Sequence, residues 1–178
     1  MLETIANKLR LLTMALNALG TLLILILVAM INLDVLSMNT LGAPITGVKE
    51  AIALSIAVIV FLQLPETLRA NRHIVSDMWI GRLNQRRPRI GAAVQAGFHV
   101  LGAAMVLLIA YFGWPLMAEA YHNGYFVGTL GIFTLPTWPT FAVVVFCSVV
   151  TGLQYLVIAL QYVHRATNPA TAKTIAQE

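Results

Sequence analysis

The stretch RANRHIVSDMWIGRLNQRRPR, residues 69–89, holds Arg69, Arg72, Arg82, Arg86, Arg87 and Arg89, six of the chain's eleven basic residues. It interrupts a polypeptide of 178 residues that is 59% hydrophobic and only 10% charged, far from the make-up of an ordinary soluble domain. So much charge in so apolar a chain marks where the polypeptide leaves hydrocarbon. The segments on either side of it are therefore read as spans of a bilayer.

A spanning helix needs about 20 mostly apolar residues. Four stretches meet that requirement: 11–33, 51–68, 90–112 and 140–163. The fold class expected is an all-α integral membrane protein, one membrane domain of four transmembrane helices with a tail at 164–178. The first stretch follows Lys8 and Arg10 as a secretory signal would. It is too long for a signal core, and no small-x-small cleavage site precedes Asp34, so it is read as a retained helix.

Lys and Arg gather in short cytoplasmic loops. Lys8 and Arg10 precede the first span, the six arginines lie between the second and third, and Arg165 and Lys173 follow the fourth. Only Lys49 falls on the opposite face. Both termini are expected inside, with connections 34–50 and 113–139 outside.

Within the arginine-rich stretch, Ile74, Val75, Met78, Trp79 and Leu83 recur at helical spacing, while Asp77, Arg82, Gln85, Arg86 and Arg87 fill the other side. That pattern predicts an amphipathic helix over 72–87 lying in the membrane interface, its arginines on anionic phospholipid and Trp79 at headgroup level. Pro88 ends it. The sequence pI near 9.6 is thereby explained by lipid, and no nucleic-acid partner is expected.

Several residues invite two readings. Glu50 opens the second span, where the helix dipole favours an anion; it is either hydrated at the interface or paired with a basic residue of a partner subunit. Glu66, beside Pro65, either pairs locally with Arg69 or forms a proton or ion site. The third span carries Gly91, Gly97 and Gly102 among alanines, a small face that lets helix backbones approach closely, and it is expected at the centre of the bundle. His99 in that span is a packing histidine or a haem ligand, although haem usually wants a second facing ligand. Trp114, Tyr121, Tyr125, Phe126, Phe133 and Trp138 in the second outer connection form an aromatic belt or a docking surface. Cys147, the single cysteine, can form no intramolecular disulfide.

No glycine-rich phosphate loop, paired CxxC, HExxH or GxSxG occurs, and none of the seven acidic residues is clearly at mid-membrane. An ion-coupled transporter normally displays broken helices or buried ionisable groups around a midplane site. The expected role is accessory and partner-binding: not an enzyme, with no cofactor and no metal.

The arrangement resembles the small membrane (Q) subunit of tripartite ATP-independent periplasmic, or TRAP, transporters. The segments that carry the resemblance are NLDVLSMN at 32–39, GVKEAIAL at 47–54, where Glu50 matches the family's glutamate opening helix 2, and NRHIVSDMW at 71–79. The last is similar to a His-Ile-x-x-Asp signature and contributes His73, Ile74 and Asp77. LPTWPTFAVVVFCSVVTGLQYLVIALQ at 135–161 is similar to the Pro and Trp start of helix 4. The resemblance runs from about residue 11 to 165. Ser37 and Met38 stand where many members carry an arginine, so no ion pair at that position is carried over.

The resemblance implies a bacterial inner-membrane scaffold that pairs with a large multi-span permease subunit and works with a periplasmic substrate-binding protein in sodium-driven uptake of a small organic anion. Interface candidates, toward partner or lipid, are Glu50, Arg72, His73, Asp77, Trp79, Arg82, Arg86, Arg87, Gly97 and Trp138. The alternative is a haem-binding or plain membrane-anchor subunit of a respiratory enzyme.

Overall fold

A computed structural model describes residues 2–69 and 88–167. Four long helices, α1 (Leu2–Leu41), α2 (Val48–Arg69), α3 (Pro88–His122) and α4 (Trp138–Thr167), are joined by a tight turn between α1 and α2 and by a two-stranded hairpin between α3 and α4. All four are long and apolar enough to cross a membrane. The expected interfacial helix over 72–87, with Arg72, His73, Asp77, Trp79, Arg82, Arg86 and Arg87, lies outside the described residues, as does the tail beyond residue 167.

The helices run past the apolar stretches read from the sequence, and α1 and α3 end where the chain turns at a glycine. Asp34 was expected to begin a connection, yet α1 continues to Leu41 and stops where Gly42 adopts φ of 70°. A charge ends the hydrocarbon, whereas a left-handed glycine ends the helix. Similarly, α3 continues past Phe112, with Pro115 inside it, to His122, and the chain turns at Gly124, φ 62°. The outer connection expected over 113–139 is therefore largely helix and hairpin. Strands β1 (Phe126–Thr129) and β2 (Phe133–Pro136) pair antiparallel, Thr129 opposite Phe133.

The central helix is α4, not α3. It packs extensively against α3 on one side and α2 on another, whereas α1 packs chiefly against α2. The α3–α4 seam is close: a Cβ on Gly102 would lie 2.7 Å from the Tyr155 ring, and one on Gly152 would lie 2.7 Å from Leu107. Small residues such as Gly102 serve that one seam, whereas Gly97, a candidate for a partner or lipid interface, faces open space, with nothing within 4 Å. On the other side Leu16, Leu62, Cys147 and Val150 form the core between α1, α2 and α4. At Gly20 a Cβ would come 3.0 Å from Gln63 Cγ, so the small residues at this end of α1 do permit a close approach.

Candidate functional site

Three features organise the surface and interior: an ion pair at one end of α2, polar side chains buried along α4, and a cap at the opposite end of the bundle. The ion pair arises within one helical turn. Arg69 Nε donates to Glu66 Oε2 at 2.8 Å and its second terminal nitrogen to Oε1, giving a two-pronged guanidinium–carboxylate contact. The side chains are only 17% exposed for Glu66 and 29% for Arg69, so mutual neutralisation is what lets them sit beside the apolar core. Pro65, fully buried, supplies no backbone donor and leaves the Phe61 carbonyl without its helical partner. Thr13 of α1 is also buried and donates to the Arg10 carbonyl at 3.0 Å. Of the two readings of Glu66, the local pair is the one formed.

Along α4, Ser148, Thr151 and Gln154 are buried. Thr151 donates to the Cys147 carbonyl at 2.7 Å, which satisfies it within its own helix. Ser148 Oγ and Gln154 Oε1 have no hydrogen-bond partner. These residues escaped the sequence reading. Their signal was available: polar residues three apart line one stripe of a helix, and a polar stripe in an otherwise apolar span is expected to face protein and not lipid.

At the other end the chain folds its connections into a cap. Asp34 Oδ1 accepts from the Ile45 N–H at 2.7 Å, and Ser37 Oγ donates to the Ala43 carbonyl at 2.9 Å. The last turn of α1 thus holds the α1–α2 turn. Gly47, φ 89°, lies directly under the Phe133 ring, which a Cβ would strike. Across the cap, Tyr125 donates to Glu119 Oε1 at 3.0 Å, and Thr137 Oγ1 donates to the Tyr125 carbonyl at 3.1 Å. Tyr121 and Trp138 meet edge to face at 5.6 Å, a favoured aromatic geometry.

The structure brings some candidate residues to one end and separates others. Glu50 stands in the first turn of α2 and Trp138 at the first residue of α4, both at the capped end. Gly97 is exposed on α3, well away from it. His99 stacks on Tyr162 with ring centroids 5.4 Å apart and lies 5.8 Å from the Tyr155 ring. The packing reading is thereby given an aromatic setting. Among the described residues no three His, Cys, Asp or Glu side chains group as a metal site.

Residues 27–165 match the family model described as tripartite ATP-independent periplasmic transporters, DctQ component. The chain belongs to that family. It is therefore a TRAP transporter small permease component and a multi-pass membrane protein, of a family of transporter components and not of enzymes. Membership implies association with a large permease and a substrate-binding protein, and it does not favour the respiratory-anchor alternative. No curated protein and no solved structure matches the chain.

Proposed function

We propose that this chain is the stationary brace of a sodium-driven, binding-protein-dependent uptake system for a small organic anion in a bacterial inner membrane. The match of residues 27–165 to the small TRAP component carries the reading. The physical character of the bundle supports it: its ionisable pair Glu66–Arg69 is internally matched, and its long helices leave wide apolar faces for helix partners and lipid. Such associations in a bilayer rest on shape and close packing, because lipid tails offer no hydrophobic drive between helices.

In this reading both termini are cytoplasmic, since ten of the eleven basic residues fall at one end of the spans. Arg72, Arg82, Arg86, Arg87 and Trp79 hold an interfacial helix over 72–87 to anionic phospholipid, at about 1 kcal/mol for each basic side chain near the surface. His73 and Asp77 belong to the same connection. Glu50 and Trp138 at the outer end, and the open face around Gly97, are offered to protein partners or lipid. The single-domain division, with spans over 11–33, 51–68, 90–112 and 140–163 and a cytoplasmic tail, belongs to the same proposal.

The test is co-purification of the C-terminally tagged chain from native membranes in mild detergent. A multi-span permease in fixed ratio is the expected result; recovery of the chain alone, or with a redox subunit, refutes the reading. Deleting the chain while retaining the permease should abolish uptake, and reporters fused to either terminus should report the cytoplasm.

A further inference from the structure

The hairpin at the capped end is unusually apolar for a connection between spans. From Asn123 to His164 the sequence contains no Asp, Glu, Lys or Arg, so neither strand nor its turn carries a charge. The turn residues Leu130 and Ile132 are 76% and 68% exposed. An aqueous loop of that composition would leave large aliphatic groups in water at the most exposed point of the fold, which costs about 25 cal/mol for each Å².

The position of the turn is fixed by its neighbour. Phe133 directly follows Ile132 and sits on Gly47, immediately before the first residue of α2. The hairpin therefore lies across the end of the bundle, from α3 and α4 over to the α1–α2 turn, and does not stand away from it. Helix α2 then serves as a ruler. Its 22 residues rise about 33 Å at 1.5 Å per residue, close to the roughly 30 Å thickness of a hydrocarbon core. Taking the charged Glu66–Arg69 pair as one edge of the hydrocarbon puts Gly47 near the other edge, and the turn at the depth of the headgroups.

Its surroundings have the same character. Tyr121, Tyr125 and Trp138 are exposed at this end, the residue types enriched at membrane–water interfaces. Leu41 and Ile45 of the adjoining α1–α2 turn are exposed as well. A two-stranded hairpin keeps unpaired N–H and C=O groups along its outer edges, so it cannot enter the hydrocarbon fully. The headgroup layer satisfies those groups while receiving the aliphatic tip.

We propose that the β1–β2 turn, through Leu130 and Ile132, rests in the lipid headgroup layer of the leaflet at this end of the bundle, making the hairpin a membrane-seated foot. The inference rests on the four helices spanning a bilayer with the Glu66–Arg69 pair at one edge, and holds whichever way the chain is oriented and whatever permease it joins. As a foot, the hairpin restrains the α1–α2 turn through Phe133 and fixes the height of the cap against the bilayer.

The test uses Leu130→Cys and Ile132→Cys separately in the full chain, alone and with its co-purifying subunits, in nanodiscs of phosphatidylethanolamine and phosphatidylglycerol. Each cysteine is labelled with an environment-sensitive fluorophore. Cys147 is fully buried, and the unsubstituted chain labelled in parallel supplies the background. Quenching by a headgroup-proximal nitroxide lipid should exceed quenching by aqueous iodide several-fold at both sites, in both preparations. Dominant iodide quenching would place the turn in water and overturn the proposal. Protection from both quenchers in the complex would show that a protein partner covers it, and would overturn it equally, while leaving the co-purification result intact.

Discussion

Replacing Gly47 by alanine tests the contact that joins the two halves of the cap. At φ 89° a residue with a Cβ is strained by about 1–2 kcal/mol. The new methyl would also occupy the space of the Phe133 ring, so the ring must leave. Phe133 is 36% exposed, and losing the sheltered remainder costs about 1–2 kcal/mol. Gly47→Ala is therefore expected to cost about 2–4 kcal/mol, whereas Phe133→Ala, which removes the ring without strain, costs about 1–2 kcal/mol. In the double variant the ring is lost only once. Its cost should fall short of the sum of the single costs by about 1–2 kcal/mol, a coupling within the range measured for contacting residues. Reversible unfolding in mixed micelles by SDS titration, followed by circular dichroism, gives all three values. Additive costs would refute the seating of Phe133 on Gly47, and with it the ruler that sets the depth of the hairpin.

Further outcomes follow from the other contacts. Gly152→Val should destabilise the α3–α4 seam by about 1–3 kcal/mol through overpacking against Leu107, read in the same titration, while Gly97→Val, facing open space, should leave the isolated chain's stability unchanged and instead weaken permease recovery if that face is a subunit contact. Asp34→Ala removes the acceptor of the Ile45 N–H and should cost about 1 kcal/mol, with faster amide exchange at residues 42–46 as a local readout. Glu66→Gln leaves Arg69 without its counter-charge; a loss of about 1–3 kcal/mol with uptake by the assembled transporter retained is expected, and uptake abolished in a normally assembled complex would restore the ion-site reading.

The sequence disclosed the spans because hydropathy and length directly report the energetic requirement for crossing hydrocarbon. The Glu66–Arg69 pair was also legible, because side chains three apart on a helix are neighbours whatever the tertiary structure. Helix ends were less so. Asp34 and Gly113 look like punctuation, yet an acidic residue with a backbone partner, Ile45 N–H, and a glycine tucked 3.0 Å from Val145 by its virtual Cβ both fit within continuous helices. The hairpin was hidden for another reason: its pairing of Phe126 through Thr129 with Phe133 through Pro136 is short, and its aromatic content reads equally as interfacial belt.

The identity of the central helix shows what a count of small residues leaves out. Alanines and glycines are plentiful on α3, but a close seam needs a complementary partner at the same height, and the partners are Tyr155 for Gly102 and Leu107 for Gly152. Glycine on one helix thus receives a large side chain from the other, alternately in each direction. The side that decides centrality is the second face of α4, where Cys147 and Val150 meet Leu16 and Leu62. Being enclosed on two faces is also why α4 can carry Ser148, Thr151 and Gln154 in its interior: a lipid-facing helix would turn such groups toward hydrocarbon, whereas a central one can keep them among protein atoms. In this division α4 fixes the bundle while α1 and α3 leave broad apolar faces open.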